Sequence, residues 1–244
     1  MIENYYITGL PINLKELGVI YQPTIKELLL IEMTNKEVVQ PFLLHKGIVL
    51  GDEDDELRRV LKNFDLFFLS ERNLLDSLII SLKILYKTEN VLLCDNNVLE
   101  QQSIIVDDNI IINRDNYDKL ADVVLGMFVA ERPKKQEEEK VNLPTEKHRK
   151  IWEKMQKSKA RKQLKAQMNL CDIINIVCHG SKFFTYKDIV DFTYYQLVTS
   201  YKTIMNIDNY NEFTQYKLST KFDIKTDIKH WTTESKISKV PLVE

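Results

Sequence analysis

The run ENVLLCDNNVLEQQSIIVDDNIIINRDNYDKLADVVLGMF, residues 89–128, constrains the fold more than any other stretch of the chain. Ile104-Ile105-Val106 and Ile110-Ile111-Ile112 flank Asp107-Asp108-Asn109. Two short β-branched runs around residues that tolerate left-handed backbone predict a β-hairpin. Behind it, Tyr117, Leu120, Ala121, Val124, Leu125 and Phe128 recur at three-four spacing, which predicts an amphipathic helix. A hairpin feeding directly into such a helix implies a small antiparallel sheet covered by helices, an α+β fold. Adjacent Asp107 and Asp108 resemble a catalytic carboxylate pair, but on a three-residue turn they read as turn formers.

The rest of the N-terminal half fits that class. YYITGLPINL and GVIYQP are short apolar pieces bounded by glycine and proline, suited to brief edge strands. Thr24 followed by Glu27 predicts a capping box at a helix start, and LLDSLIISLKILY reads as a buried helix. The acidic GDEDDE, residues 51–56, precedes LRRVLKNFDLFFL, where acids complement a helix N-terminus; the register of a calcium loop is missing. With only 6 glycines and 6 prolines in 244 residues, an all-β sandwich rich in tight turns is disfavoured. Three scattered cysteines do not make a disulfide framework, and no stretch has the length of a membrane span. The chain therefore reads as soluble and cytosolic.

Composition shifts at Arg132-Pro133. RPKKQEEEKVNLP has almost no apolar content and a proline at each end of its charged run, as a solvated hinge does. The expected organisation is an α+β domain over 1–131, a charged linker over 132–145, a mainly helical part over 146–231 and a polar tail over 232–244. Between Lys147 and Lys165 there are nine Lys or Arg and one acid, Glu153. On a helix, Ile151, Trp152 and Met155 start an apolar stripe that Lys159 and Lys162 interrupt. Such a helix is solvated, docks an acidic or amphipathic partner helix, or contacts nucleic acid; a net charge of −2 weighs against the last.

Downstream, LCDIINIVCHG predicts a short core helix ending at Gly180. Cys171, Cys178 and His179 are the nearest approach to a metal set, but the cysteines lie two helical turns apart and read as buried thiols. DIVDFTYYQLVTSYKTI, residues 188–204, reads as one helix after a Thr185–Asp188 cap. Val190, Tyr194, Leu197, Val198, Tyr201 and Met205 share its buried face. Phe192 and Tyr195 fall opposite, so that face meets either a partner or a further short helix over 208–218 carrying Tyr210 and Phe213. KFDIKTDIKHW is a strand or an irregular closing segment. No phosphate loop and no nucleophile elbow appears, so nothing in the chain asks for catalysis, a cofactor or a metal.

The order of RKIWEKMQKSKARKQ, CDIINIVCHGSKFFTYKDIVDFTYYQLVTSYKTI, DNYN and IKHW resembles the C-terminal part of tail assembly chaperones from long-tailed phages and prophages of Gram-positive bacteria. NIIINRDNYDKLADVV and YYITGLPI resemble the same proteins. The resemblance implies a non-catalytic protein of the host bacterial cytoplasm. Its partner would be the tape measure protein, coated while tail tube subunits polymerise, and the chaperone would be absent from the mature virion. Tail tube protein and self-association stand as further contacts left open. The family supplies no site residues; Trp152, Met155, Lys159, Lys162, Phe192 and Tyr195 are the partner-binding candidates that helix geometry gives. Two competing classes are a tail or baseplate component retained in the virion, and a nucleic-acid-binding regulator using the basic helix.

Overall fold

Local signals and one long-range pairing build the architecture. The computed structural model describes residues 2–49, 59–69, 72–94, 98–132, 168–219 and 229–235. The chain opens with helix α1 (Ile2–Thr8), where the sequence suggested a strand. Its Tyr6 turns inward, donating a hydrogen bond to the Val123 carbonyl at 3.2 Å, and this tertiary anchor outweighs the β preference of YYIT. Strands β1 (Ile12–Leu14) and β2 (Gly18–Ile20) then pair antiparallel as a two-stranded sheet of their own, where the sequence suggested strands at the edge of a small sheet. Helix α2 (Ile25–Leu30) begins at the predicted capping box, with Thr24 Oγ1 accepting from Glu27 N–H and Glu27 accepting from Thr24 N–H. Helices α3 (Asn35–Val39), α4 (Lys46–Val49), α5 (Leu66–Leu69) and α6 (Arg72–Tyr86) follow. The 51–56 acids lie outside the described residues.

The predicted hairpin is strands β4 (Ser103–Val106) and β5 (Ile110–Asn113), with Val106 opposite Ile110. Asp107 and Asp108 both have positive φ, 50° and 58°, which explains why residues tolerant of left-handed backbone stand there. A third strand, β3 (Val91–Cys94), pairs antiparallel with β4 and completes the order β3-β4-β5. Helix α7 (Tyr117–Met127) covers the sheet with the stripe read from the sequence: Tyr117, Leu120, Ala121, Val124, Leu125 and Phe128 are all buried. Together with α6, β4 and β5, it closes a single apolar cluster around Phe42, Phe64, Phe67 and Tyr117. The fold is α+β.

Among the described residues, four helices follow the undescribed segment 133–167. Helix α8 (Leu170–Ser181) runs past the expected stop: the left-handed residue at its end is Lys182, with φ 60°. Gly180 lies within the helix instead, where a Cβ would sit 2.8 Å from Ile204 Cγ2. The helix needs glycine there for close packing rather than for a turn. Its thiols are not core either, since Cys171 is exposed and Cys178 half-buried.

The stretch expected to be one helix is two. Helix α9 (Tyr186–Ile189) keeps the Thr185–Asp188 capping box, and a second box of Thr193 and Gln196 starts α10 (Tyr194–Leu218). Between them the carbonyls of Val190 and Phe192 accept from the N–H groups of Lys26 and Ile25, each at 2.8 Å. Those two donors are unpaired N-terminal groups of α2, so the break in one helix caps the start of another. Conversely, α10 continues without a break through 208–218, which the sequence suggested as a separate helix. It is about 37 Å long by the rise per residue. Helix α11 (Trp231–Glu234) begins at His230, whose ring accepts from Thr232 N–H. Trp231 is therefore helical, while most of KFDIKTDIKHW lies outside the described residues.

Candidate partner surface

Of the six residues expected to bind a partner, Trp152, Met155, Lys159 and Lys162 lie outside the described residues, as do the rest of the basic segment expected to be helical and all of the expected linker beyond Arg132. Arg132 itself is tied down, donating to Asp118 Oδ1 at 3.0 Å and lying 3.4 Å from Asp122.

Phe192 and Tyr195 do not share a helix face, because the break falls between them. The Phe192 ring meets Phe184 edge-on at 5.0 Å, within the corner that joins α8 to α9. The Tyr195 ring lies 5.3 Å from that of Tyr6 on α1, at the seam with the N-terminal half. Burial pushes the Tyr6 hydroxyl up to about 12. Burial, with the nearby Glu3 carboxylate, also raises Tyr195 above the ordinary phenol range. Beside this pair Gln196 donates to the Ile7 carbonyl at 2.9 Å, and Tyr194 packs on Phe128 at 5.9 Å between ring centroids. The first turns of α10 thus face α1 and α7 on one side. On the other side, Leu197, Tyr201 and Ile204 join Val177, Ile189 and Ile25 in a second, smaller core. Neither of the two aromatics packs under Tyr210 or Phe213: Tyr210 stacks edge-on with His230 at 4.9 Å.

The exposed aromatic surface lies elsewhere. Beyond Met205, α10 outgrows the core, and Met205, Asn209, Phe213 and Tyr216 follow one another at intervals of four, four and three on its solvent side. Phe213 is 53% exposed, and the Tyr216 hydroxyl donates to Glu212 Oε1 at 2.6 Å. Met205 belongs to this stripe, not to the buried face where the sequence put it. At the α8–α9 corner Phe183 is 87% exposed, while Tyr186 is held by Asn175 at 2.6 Å. The sequence carried a signal for the stripe: extending the wheel from Met205 to Tyr216 aligns it. Treating 208–218 as a separate helix broke that register.

Residues 157–236 match the family model of the YomV second domain, a phage-associated domain. The matched stretch contains α8, α9, α10 and α11, so the exposed stripe falls within it. No curated protein and no solved structure matches the chain.

Proposed function

We propose that this protein is a non-catalytic tail assembly chaperone, acting in the host bacterial cytoplasm. It binds the tape measure protein and keeps that chain soluble while tail tube subunits polymerise. The observation that carries this reading is the Met205–Tyr216 stripe on the overhanging end of α10. It is a narrow, largely apolar and aromatic face, interrupted by Asn209, on the solvent side of a helix whose first turns are already packed in the core. A partner helix with its own apolar stripe packs on such a face through a few aromatic anchors. Polar surroundings keep the contact weak enough to be displaced by tube subunits. The phage-associated match over the same helices and the resemblance of FTYYQL and YKTI to tail assembly chaperones support the reading.

The test is co-expression with the largest helical protein encoded beside it, followed by pull-down and thermal melts. Phe213→Ala should leave the melting temperature unchanged and weaken capture, since interface aromatics cost roughly 1 kcal/mol or more when truncated. Tyr195→Ala should behave oppositely, melting early because its ring packs on Tyr6. Capture that survives loss of both Phe213 and Tyr216 would remove this surface from the reading. Mass spectrometry of purified particles separates the chaperone from a tail or baseplate component: the first is missing from the virion, the second stoichiometric.

A further inference from the structure

The three-stranded sheet treats its two edges differently. On β5 two of the outward groups are occupied by one side chain: Asn116 Nδ2 donates to the Ile111 carbonyl at 2.8 Å, and Asn116 Oδ1 accepts from Asn113 N–H at 2.9 Å. At the other edge the Asn90 carbonyl accepts from Asp107 N–H, which fixes the ladder parity. Leu92 and Cys94 therefore exchange their bonds with β4, and Val91 and Leu93 point their main-chain groups outward. Val91 N–H turns back to the Glu89 carbonyl. Among the described residues, the N–H and C=O of Leu93 have no partner.

The β3 side chains tell the same story. Leu92, Ile105 and Ile111 form one cross-strand row on the outer face, with Leu92 52% and Ile111 50% exposed. Leu93 belongs to the opposite, core-facing row with Ile104 and Ile112, both fully buried, yet it is itself 37% exposed. A cover over the outer face would shield Leu92 and leave Leu93 open. A strand beside β3 shields both and also meets the open Leu93 main-chain groups. Natural edge strands are protected by lysine, proline or a bulge, and Val91-Leu92-Leu93-Cys94 has none of these.

We propose that the β3 edge takes up a fourth, antiparallel strand from a partner chain. Its chemistry would be an extended apolar segment ending, on its C-terminal side, in lysine or arginine. The charge argument comes from the end of the sheet where β3 begins. Asp107 and Asp108 are exposed there and no cation among the described residues pairs with either, whereas the neighbouring Glu89 is already paired with Lys83 at 2.8 Å. An antiparallel strand brings its C-terminal end to that corner, about 5 Å from β3. A second copy of β3 offers no basic residue to meet those acids. This surface is built from different elements than the α10 stripe and does not depend on the chaperone reading.

The probe is a short acetylated and amidated peptide of alternating valine and threonine ending in a C-terminal lysine pair, added to the full chain. Anisotropy of a dye on the peptide reads binding, and hydrogen exchange reads the Leu93 amide. Binding should slow exchange at Leu93. Moving the lysines to the N-terminal end, or replacing them with glutamates, should weaken binding about tenfold. Methylating alternate peptide nitrogens should abolish it, and so should Leu93→Lys. Failure of the lysine peptide to bind, or binding indifferent to N-methylation, overturns the proposal. So does protection of Leu93 that grows with protein concentration without peptide, because a second copy then occupies the edge.

Discussion

Asp65 is a fully buried carboxylate with a single strong counter-charge. Its Oδ2 accepts from Lys62 N–H at 2.7 Å and lies 3.2 Å from Arg114 Nη2, while its Oδ1 has no hydrogen-bond partner among the described residues. Arg114 in turn donates to the Val60 carbonyl at 2.8 Å and meets Glu100 at 3.2 Å, so one guanidinium ties the end of the hairpin to the loop before α5. Removing one member of a buried pair leaves the other charged and unpaired, which costs about 3–5 kcal/mol. Arg114→Met should therefore lower stability by that order in a urea melt. Asp65→Asn placed on the same background should recover part of the loss, because it removes the stranded charge. If the single variant melts like the parent, Asp65 is not held by Arg114. The sequence showed Asp65 and Arg114 only as ordinary charged residues, since nothing local announces a contact spanning 49 positions.

At the scale of elements, the turns and helix starts were the most readable features. The Thr24 box, the Thr185 box and the hairpin all stand where the residues put them, because each is closed by atoms within a few positions. The hairpin allows a direct test. Asp108 has φ 58°, a conformation glycine adopts without strain, and Asp-Gly suits this kind of turn. Asp108→Gly should stabilise the protein by roughly 0.5–1 kcal/mol, measured by the chemical-denaturation midpoint. Asp107 is the wrong position for the same change, since it accepts a hydrogen bond from Thr88 Oγ1. A destabilised Asp108→Gly protein would mean that its carboxylate, not its backbone, matters to the turn. The stretch 188–204 misled because apolar periodicity is blind to where a carbonyl points. Val190 and Phe192 give theirs to α2, and Thr193 then restarts the helix.

Across the whole molecule, the C-terminal helices are bound to the N-terminal half by more than the intervening chain. Thr24 and Thr193 form a β-bridge, and Ile25 is fully buried in the small core otherwise built from α8, α9 and α10. Tyr6 packs on Tyr195. Trypsin cutting within the lysine-rich stretch 133–167 should thus yield two fragments that co-elute on gel filtration and separate only in denaturant. Arg132 should resist cleavage relative to the lysines that follow, because its guanidinium is held by Asp118. Fragments that separate under native conditions would show that this seam is too weak to hold alone. By itself the sequence determined the α+β class, the hairpin, the stripe of α7 and the caps, all of which rest on interactions between near neighbours. Only the tertiary structure decided that Tyr5-Tyr6 is helical, that α9 and α10 are separate, that Tyr195 faces inward and that Phe213 faces out. Those outcomes depend on which distant groups compete for the same backbone donors and the same apolar surface, and no local window of residues contains that competition.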